Sequence, residues 1–276
     1  MVGIGHGKRI EIVSSFYDDI DEDSRLNRSR HGQLEYATTM EYIHRYAETG
    51  AKILEIGAGT GRYSIELAKE GYKVTAVELV ESNLEVLRKN SCGIKDIVSY
   101  KGDALNLSRF EDNQFDITLL FGPMYHLYSK EDVHKAIDEA IRVTKEDGVI
   151  LVAFLSVYAI MNDNYLNGTF AAGVEENFDA EFKVKHFEEQ LFTGYDIVEF
   201  EQLFESHKTR YITTVATDNI LELAEGRADF KMSDEEFGLF VKYHLATCEK
   251  RELLGSYLRY WWWIWRVRFL ANFPWI

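Results

Sequence analysis

Over the first 155 residues, apolar runs alternate with stretches of helical spacing. The runs at 52–57, 73–78, 96–101, 115–121 and 148–155 are short, nearly continuous and rich in Ile, Val, Leu and Phe. Such runs read as strands buried on both faces of a parallel sheet. Between them, segments near 61–70, 81–90 and 130–144 carry helix-type spacing, as does an earlier one at 33–48 through Leu34, Ala37, Met40, Tyr42, Ile43 and Tyr46. Gly50, Gly71, Gly102-Asp103-Ala104, Gly122-Pro123 and a Lys-Glu-Asp-Gly turn punctuate the series. Five strand–helix units predict an α/β, doubly wound, mostly parallel sheet with right-handed crossovers. Ligands of such sheets bind beyond the carboxyl ends of the strands. Gly57–Gly61, Glu78, Asp103 and Phe121–His126 all fall at those ends, so four separate segments converge on one crevice.

After 155 the alternation breaks. Residues 157–195 scatter Tyr158, Tyr165, Phe170, Phe178, Phe182, Phe187, Phe192 and Tyr195 among polar positions, and are expected to form an insertion over the crevice that serves as a lid. A helix near 196–206, a strand near 208–217, a helix near 234–252 and a strand near 256–267 follow. The expected organisation is therefore a single domain. Residues 1–50 form a cover and first helix, 51–156 the core, 157–195 the inserted lid, and 196–276 the completion of the sheet. All five tryptophans lie at 261–275, beside Arg259, Arg266 and Arg268. Three readings stay open for this end: an aromatic edge strand over Tyr257–Trp265, a membrane-surface anchor, or a stretch foreign to the rest of the chain.

Composition narrows the partners. A chain of 276 residues with 46% apolar content can bury a full core. A net charge of −15 argues against a nucleic-acid substrate, because neutralising phosphates needs a basic face. Arg25, Arg28 and Arg30 make a small basic cluster, directly after the acidic run Asp18, Asp19, Asp21, Glu22, Asp23. Cys92 and Cys248 are too few for a disulfide framework and have no metal-ligand spacing. Met1–Val13 lacks an apolar secretory core, so a cytoplasmic location without membrane attachment is the default expectation.

The glycine loop carries the sharpest chemistry. Gly57, Gly59 and Gly61 follow the run Ile53-Leu54-Glu55-Ile56, and a second run, Val74–Val77, ends at Glu78, 17 residues past Gly61. A dinucleotide fingerprint, G-x-G-x-x-G, needs glycine at 62, where this chain has Arg62. Glu55, two residues before the first glycine, suits a ligand with an ammonium group and would repel one rich in phosphate. An acid at the end of the second strand, such as Glu78, can accept hydrogen bonds from ribose hydroxyls.

This pattern resembles the first motif of the class I S-adenosylmethionine-dependent methyltransferases. The resemblance implies a seven-stranded Rossmann-like sheet with an antiparallel C-terminal edge hairpin, and S-adenosyl-L-methionine as cofactor, with S-adenosyl-L-homocysteine as its product. It implies that Glu55 meets the methionine amino group, that Gly57, Ala58, Gly59, Thr60 and Gly61 wrap the cofactor, and that Glu78 holds the ribose beside Leu79. Asp103 and Ala104 resemble the adenine-reading pair. Arg62 either faces the methionine carboxylate or points to solvent. Phe121-Gly122-Pro123-Met124-Tyr125-His126 resembles the fourth motif, where methyl group and acceptor meet, but lacks the Asn/Asp and second proline of the amine- and amide-modifying members. Phe121 and Gly122 are therefore expected to contribute backbone carbonyls. Tyr125 is expected to cover the substrate, and His126 is the candidate general base. Tyr17 is a candidate cofactor contact, and Arg30, His31 and Tyr158 are candidate substrate contacts. No metal is expected, because strands four and five end in Phe121-Gly122-Pro123 and Phe154-Leu155-Ser156, without acids. The expected activity is methyl transfer to an O, N or S atom of a small molecule. The alternatives are a protein or peptide acceptor, or a non-catalytic binder of the cofactor.

Overall fold

A computed structural model describes residues 4–187, 190–207, 209–250 and 260–267. The chain opens with two helices, α1 (Ile4–Asp18) and α2 (Arg30–Tyr46). Then β1 (Lys52–Ile56), α3 (Arg62–Lys69), β2 (Lys73–Glu78), α4 (Glu81–Asn90), β3 (Ile97–Lys101) and β4 (Phe115–Leu120) alternate as the apolar pattern requires. A 3₁₀ turn, Pro123–His126, leads to α5 (Lys130–Val143) and the long β5 (Thr144–Ser156). The remainder comprises α6 (Val157–Leu166), α7 (Phe170–Asn177), β6 (Gly194–Tyr195), α8 (Ile197–Gln202), β7 (Thr209–Ala216), α9 (Leu221–Ala224), α10 (Asp234–Thr247) and β8 (Tyr260–Val267).

Strands order as β3-β2-β1-β4-β5-β8-β7, with the two-residue β6 beside the end of β5. β1 runs parallel to β2 and β4, β2 to β3, and β4 to β5, which makes the sheet mostly parallel. β8 lies antiparallel between β5 and β7. Burial explains the central strands. Ile53, Leu54 and Ile56, then Ile117, Leu119 and Leu120, then Val149–Leu155 are all buried, with α-helices covering both faces. α5 shows how a covering helix is specified. Val133, Ala136, Ile137, Ala140 and Val143 form its buried stripe, while Ser129 caps it by accepting from the Asp132 amide at 3.1 Å.

Some elements differ from the sequence reading. β5 begins at Thr144 because that residue already pairs with Phe115; residues 145–148 bulge out, with Asp147 at φ 63°, before Val149 pairs with Ile117. α10 ends at Thr247, and positions 251, 252 and 256–259 of the expected elements lie outside the described residues, as do positions 188, 189 and 208. The same holds for Arg259, Arg268, Trp275 and the side chains of Trp261–Arg266. The largest difference is α1. It escapes a periodicity test because the face it buries carries Arg9 and Tyr17 beside Val13, which a hydrophobic pattern does not score. Among the described residues no helix is long and apolar enough to cross a membrane.

Candidate functional site

The carboxyl ends of β1, β2 and β4, the loop after β3, and one face of α1 enclose a cavity of about 1050 Å³, open mouth included. Glu55, Gly57, Ala58, Gly59, Thr60, Arg62, Glu78, Leu79, Asp103, Ala104, Phe121, Gly122, Tyr17, Tyr125 and His126 all line it. Gly61 does not; it starts α3 at φ 87°, and a Cβ there would meet Leu87 Cγ of α4 at 2.8 Å. Gly57 likewise serves a close approach of chain to chain. A Cβ on it would sit 2.9 Å from Pro123 Cδ and 3.0 Å from the Gly122 backbone, so the β1 loop and the 3₁₀ segment interlock through it.

The two strand-end acids are both buried, yet they are held differently. Glu78 accepts from the Gly59 amide through Oε2 (2.7 Å) and from the Val80 amide through Oε1 (2.8 Å). Burial pushes its carboxyl above the usual carboxylate range while these amides pull it back. Glu55 receives a hydrogen bond from the Ser64 hydroxyl. Burial dominates there and pushes its carboxyl up to about 8. A buried carboxyl in a cavity wall fits an ammonium group, whose charge would restore the ionised form.

Asp103 accepts from the Leu105 amide through Oδ1 at 3.1 Å and forms an ion pair through Oδ2 with Arg9 of α1. Arg62 donates to Asn27 Oδ1 at 2.7 Å and lies over the Tyr36 ring at 5.0 Å. At the other end of the cavity, His126 Nδ1–H donates to the Leu191 carbonyl at 2.7 Å. That bond fixes the tautomer and leaves Nε2 to accept from the Tyr17 hydroxyl at 3.2 Å. Burial holds the imidazole down to about 4, so it is neutral near pH 7. Phe16, Tyr17, Tyr125, His126 and Phe192 gather around this bond, with ring centroids 4.8–6.1 Å apart in the contacting pairs.

Three of the expected substrate contacts lie elsewhere. The amides of Arg30 and His31 at the start of α2 bind Glu225, His31 Nδ1 meets the same carboxylate at 2.6 Å, and the Arg30 guanidinium pairs with Asp234. Tyr158 donates to Asp196 at 2.6 Å. None of the three lines the cavity, and neither does any described residue of 157–195. The cover comes from α1 and the segment after it, and among the described residues the insertion reaches the site through Leu191, Phe192 and the Thr193 amide, which donates to the Tyr125 carbonyl at 2.9 Å. Arg9, Val13, Glu22, Arg25, Tyr63 and Asn83 also line the cavity and had no role in the sequence reading. The spacing of Arg9, Val13 and Tyr17 by four residues is the signal that places the first two on one helical face. Among the described residues, no group of three or more His, Cys, Asp or Glu is disposed to hold a metal ion.

A family profile described as a methyltransferase domain matches residues 54–152. A demethylmenaquinone methyltransferase of Clavibacter sepedonicus is 32% identical over 149 residues, which is 52% of this chain and 58% of that protein. A glycine/sarcosine N-methyltransferase of Aphanothece halophytica is 28% identical over 161 residues, 56% of this chain and 58% of that protein. The aligned part of the chain thus spans little more than half the length of these curated relatives. In fold, the chain resembles Haemonchus contortus phosphoethanolamine N-methyltransferase 1, solved with phosphoethanolamine and S-adenosylhomocysteine, at a TM-score of 0.61 and 14% identity over 100% of this chain and 53% of that one. Residues 54–152 thus carry a match to a methyltransferase domain, and the glycine loop, the strand-end acids and the sheet order found there are those that the resemblance to class I S-adenosylmethionine-dependent methyltransferases implies.

Proposed function

We propose that the protein transfers a methyl group from S-adenosylmethionine to an O, N or S atom of a small molecule. The observation that carries the proposal is the convergence, in one cavity, of Glu55, Glu78 and Asp103 with Gly122, Pro123, Tyr125 and His126. Glu55 would take the ammonium, Glu78 the ribose hydroxyls, and Asp103 with the Ala104 amide the adenine. Leu79 walls the adenine, the loop Gly57–Gly61 with Arg62 lies toward the methionine end, and Phe121 and Gly122 face the methyl group. When bound, the cofactor supplies a sulfonium methyl already activated for displacement.

The protein's task is then alignment and exclusion of water. Tyr17 and His126 clasp α1 and the Leu191–Thr193 segment onto the 3₁₀ turn, and the aromatic rings around them form a largely apolar wall for the acceptor. His126 Nε2 carries the ring's acceptor lone pair, which the Tyr17 hydroxyl engages in the ligand-free fold, so it is the candidate to take a proton, once that hydroxyl gives way, from an O–H acceptor that methylation has made strongly acidic. Tyr125 packs against His126 at 4.8 Å between centroids, a position suited to covering the acceptor. The in-line displacement proposed here uses no metal.

A small acceptor is supported by the enclosed site, by the net charge of −15 and by relatives whose names specify small-molecule acceptors. The antiparallel β7–β8 pair is read as the family's C-terminal hairpin, completing seven strands along the main path, and 157–195 as a lid-type insertion that touches the site at its far end. A cytoplasmic location fits these readings. Calorimetry with S-adenosylhomocysteine, followed by turnover of labelled S-adenosylmethionine against a panel of amines, phenols, quinols and thiols, tests the proposal. Displacement of S-adenosylhomocysteine by NAD would overturn the ligand assignment, and tight binding with no transfer to any acceptor, peptides included, would favour a non-catalytic binder.

A further inference from the structure

Arg9 enters the cavity wall from α1 with its side chain only 3% exposed. It pairs with Asp103, 94 residues away, while its Nε is buried with no hydrogen-bond partner among the described residues. A guanidinium taken out of water is costly unless its donors are met, and Arg9 lines the cavity with its Asp103 pair made and its buried Nε still unmet. Asp103 is fixed on its other side by the Leu105 amide. The pair therefore sets a carboxylate acceptor beside a guanidinium donor, on a rigid base.

Adenine offers the complement of that arrangement. Its exocyclic amine is a donor, and the ring nitrogen on either side of it is an acceptor. We propose that Arg9 is a cofactor-binding residue which, together with Asp103, reads the amine and an adjacent ring nitrogen of the adenine of S-adenosylmethionine. The inference rests on the reading above that Asp103 faces the adenine. It makes α1 part of the donor site and extends that helix beyond a cover for the acceptor. It also accounts for an ion pair that would otherwise sit in the cofactor cavity with a buried donor unused.

Calorimetry on the full chain tests this, using S-adenosylhomocysteine and its analogues in which ring nitrogen 1 or ring nitrogen 7 of the adenine is replaced by carbon. The wild type is expected to bind S-adenosylhomocysteine and to lose about tenfold or more on at least one analogue. Arg9→Met is expected to weaken S-adenosylhomocysteine by a similar factor and to bind it no better than that analogue. Arg9→Lys keeps a cation beside Asp103 without the planar fork; it is expected to behave as Arg9→Met does, and it stands in if the latter does not fold. A merely structural role for Arg9 would leave the analogue discrimination intact in the variants, and that result overturns the proposal. Unchanged or tighter binding of S-adenosylhomocysteine by Arg9→Met also overturns it, since it would show Arg9 blocking Asp103. Failure of the wild type to bind S-adenosylhomocysteine at all would instead overturn the donor reading.

Discussion

The two ends of the cavity are built on different principles. At the end proposed to hold the methyl donor, called the donor end, acids and glycines sit on strand termini whose positions the sheet dictates. Glu55 and Glu78 end neighbouring parallel strands, with Glu55 opposite Ala76, and each is anchored by groups within a few residues of the glycine loop. At the end proposed for the acceptor, called the acceptor end, rings from three distant segments (α1, the 3₁₀ turn and the Leu191–Thr193 stretch) meet around one neutral histidine. The donor end is a property of the sheet, and the acceptor end is a property of what packs on the sheet. Variants at the first should act on cofactor affinity, and variants at the second on turnover.

The strongest test of that division is Glu78→Ala. It removes the acceptor of the Gly59 amide in the glycine loop and of the Val80 amide after β2, as well as the proposed ribose partner. Hydrogen bonds to a charged group contribute about 1.5–3 kcal/mol each, so S-adenosylhomocysteine affinity should fall by about a hundredfold or more in calorimetry. Affinity within about twofold of wild type would remove Glu78 from the donor site.

The same contrast explains what could be read from the chain. Ile53–Ile56, Val74–Glu78 and Phe115–Leu120 are local patterns, and a parallel sheet turns them into a fixed geometry, so the residues at their ends could be placed together in advance. α1 could not be read this way, because its inward face mixes Arg9, Val13 and Tyr17 and its worth depends on partners 94 and 109 residues away. The insertion is less legible. Its aromatic content points to a lid, while Tyr165 and Phe182 are each 70% exposed, and among the described residues the Leu191–Thr193 end is the part that touches the site. Arg30 and His31 show a third limit. Their polar groups serve the start of α2, held by Glu225, a partner on α9's flank that no local spacing reveals.

At the acceptor end, Tyr17→Phe deletes one hydroxyl and keeps the ring that packs on His126. Turnover is expected to fall about thirtyfold, within the range of a lost proton-handling or positioning group, while S-adenosylhomocysteine affinity stays within about twofold. Equal losses in both measurements would mean that α1 serves the donor end alone.

A smaller effect separates Glu55 from Glu78 by pH. Burial raises Glu55 from its ordinary 4.5 to about 8 in the ligand-free fold, so near neutrality its carboxyl is mostly protonated. An ammonium ligand favours the ionised form, so binding must expel that proton. S-adenosylhomocysteine affinity is therefore expected to rise by up to about tenfold per pH unit as pH climbs toward 8, then level off. Methylthioadenosine, which lacks the ammonium, should show no such slope, and Glu55→Gln should abolish it for S-adenosylhomocysteine. The linkage to stability runs the other way. The folded state holds more protons than the unfolded one between pH 4.5 and about 8, so this group's contribution is fully present below that window and is lost as pH rises through it. A ligand-free melting temperature that climbed on Glu55's account across the window would contradict the burial argument.

The least perturbing variant is also the one that bears most directly on the insertion. Tyr158 is 45% exposed, its hydroxyl bonds Asp196, and neither residue lines the cavity. An exposed hydrogen bond of this kind contributes about 1 kcal/mol or less to stability. Tyr158→Phe should leave both cofactor affinity and turnover within about twofold of wild type. A larger loss of turnover with intact affinity would mean that α6 closes over the acceptor during the reaction. The insertion would then join α1 as a working part of the acceptor end, and the division drawn between sheet-borne and packed-on chemistry would extend to a third, moving element.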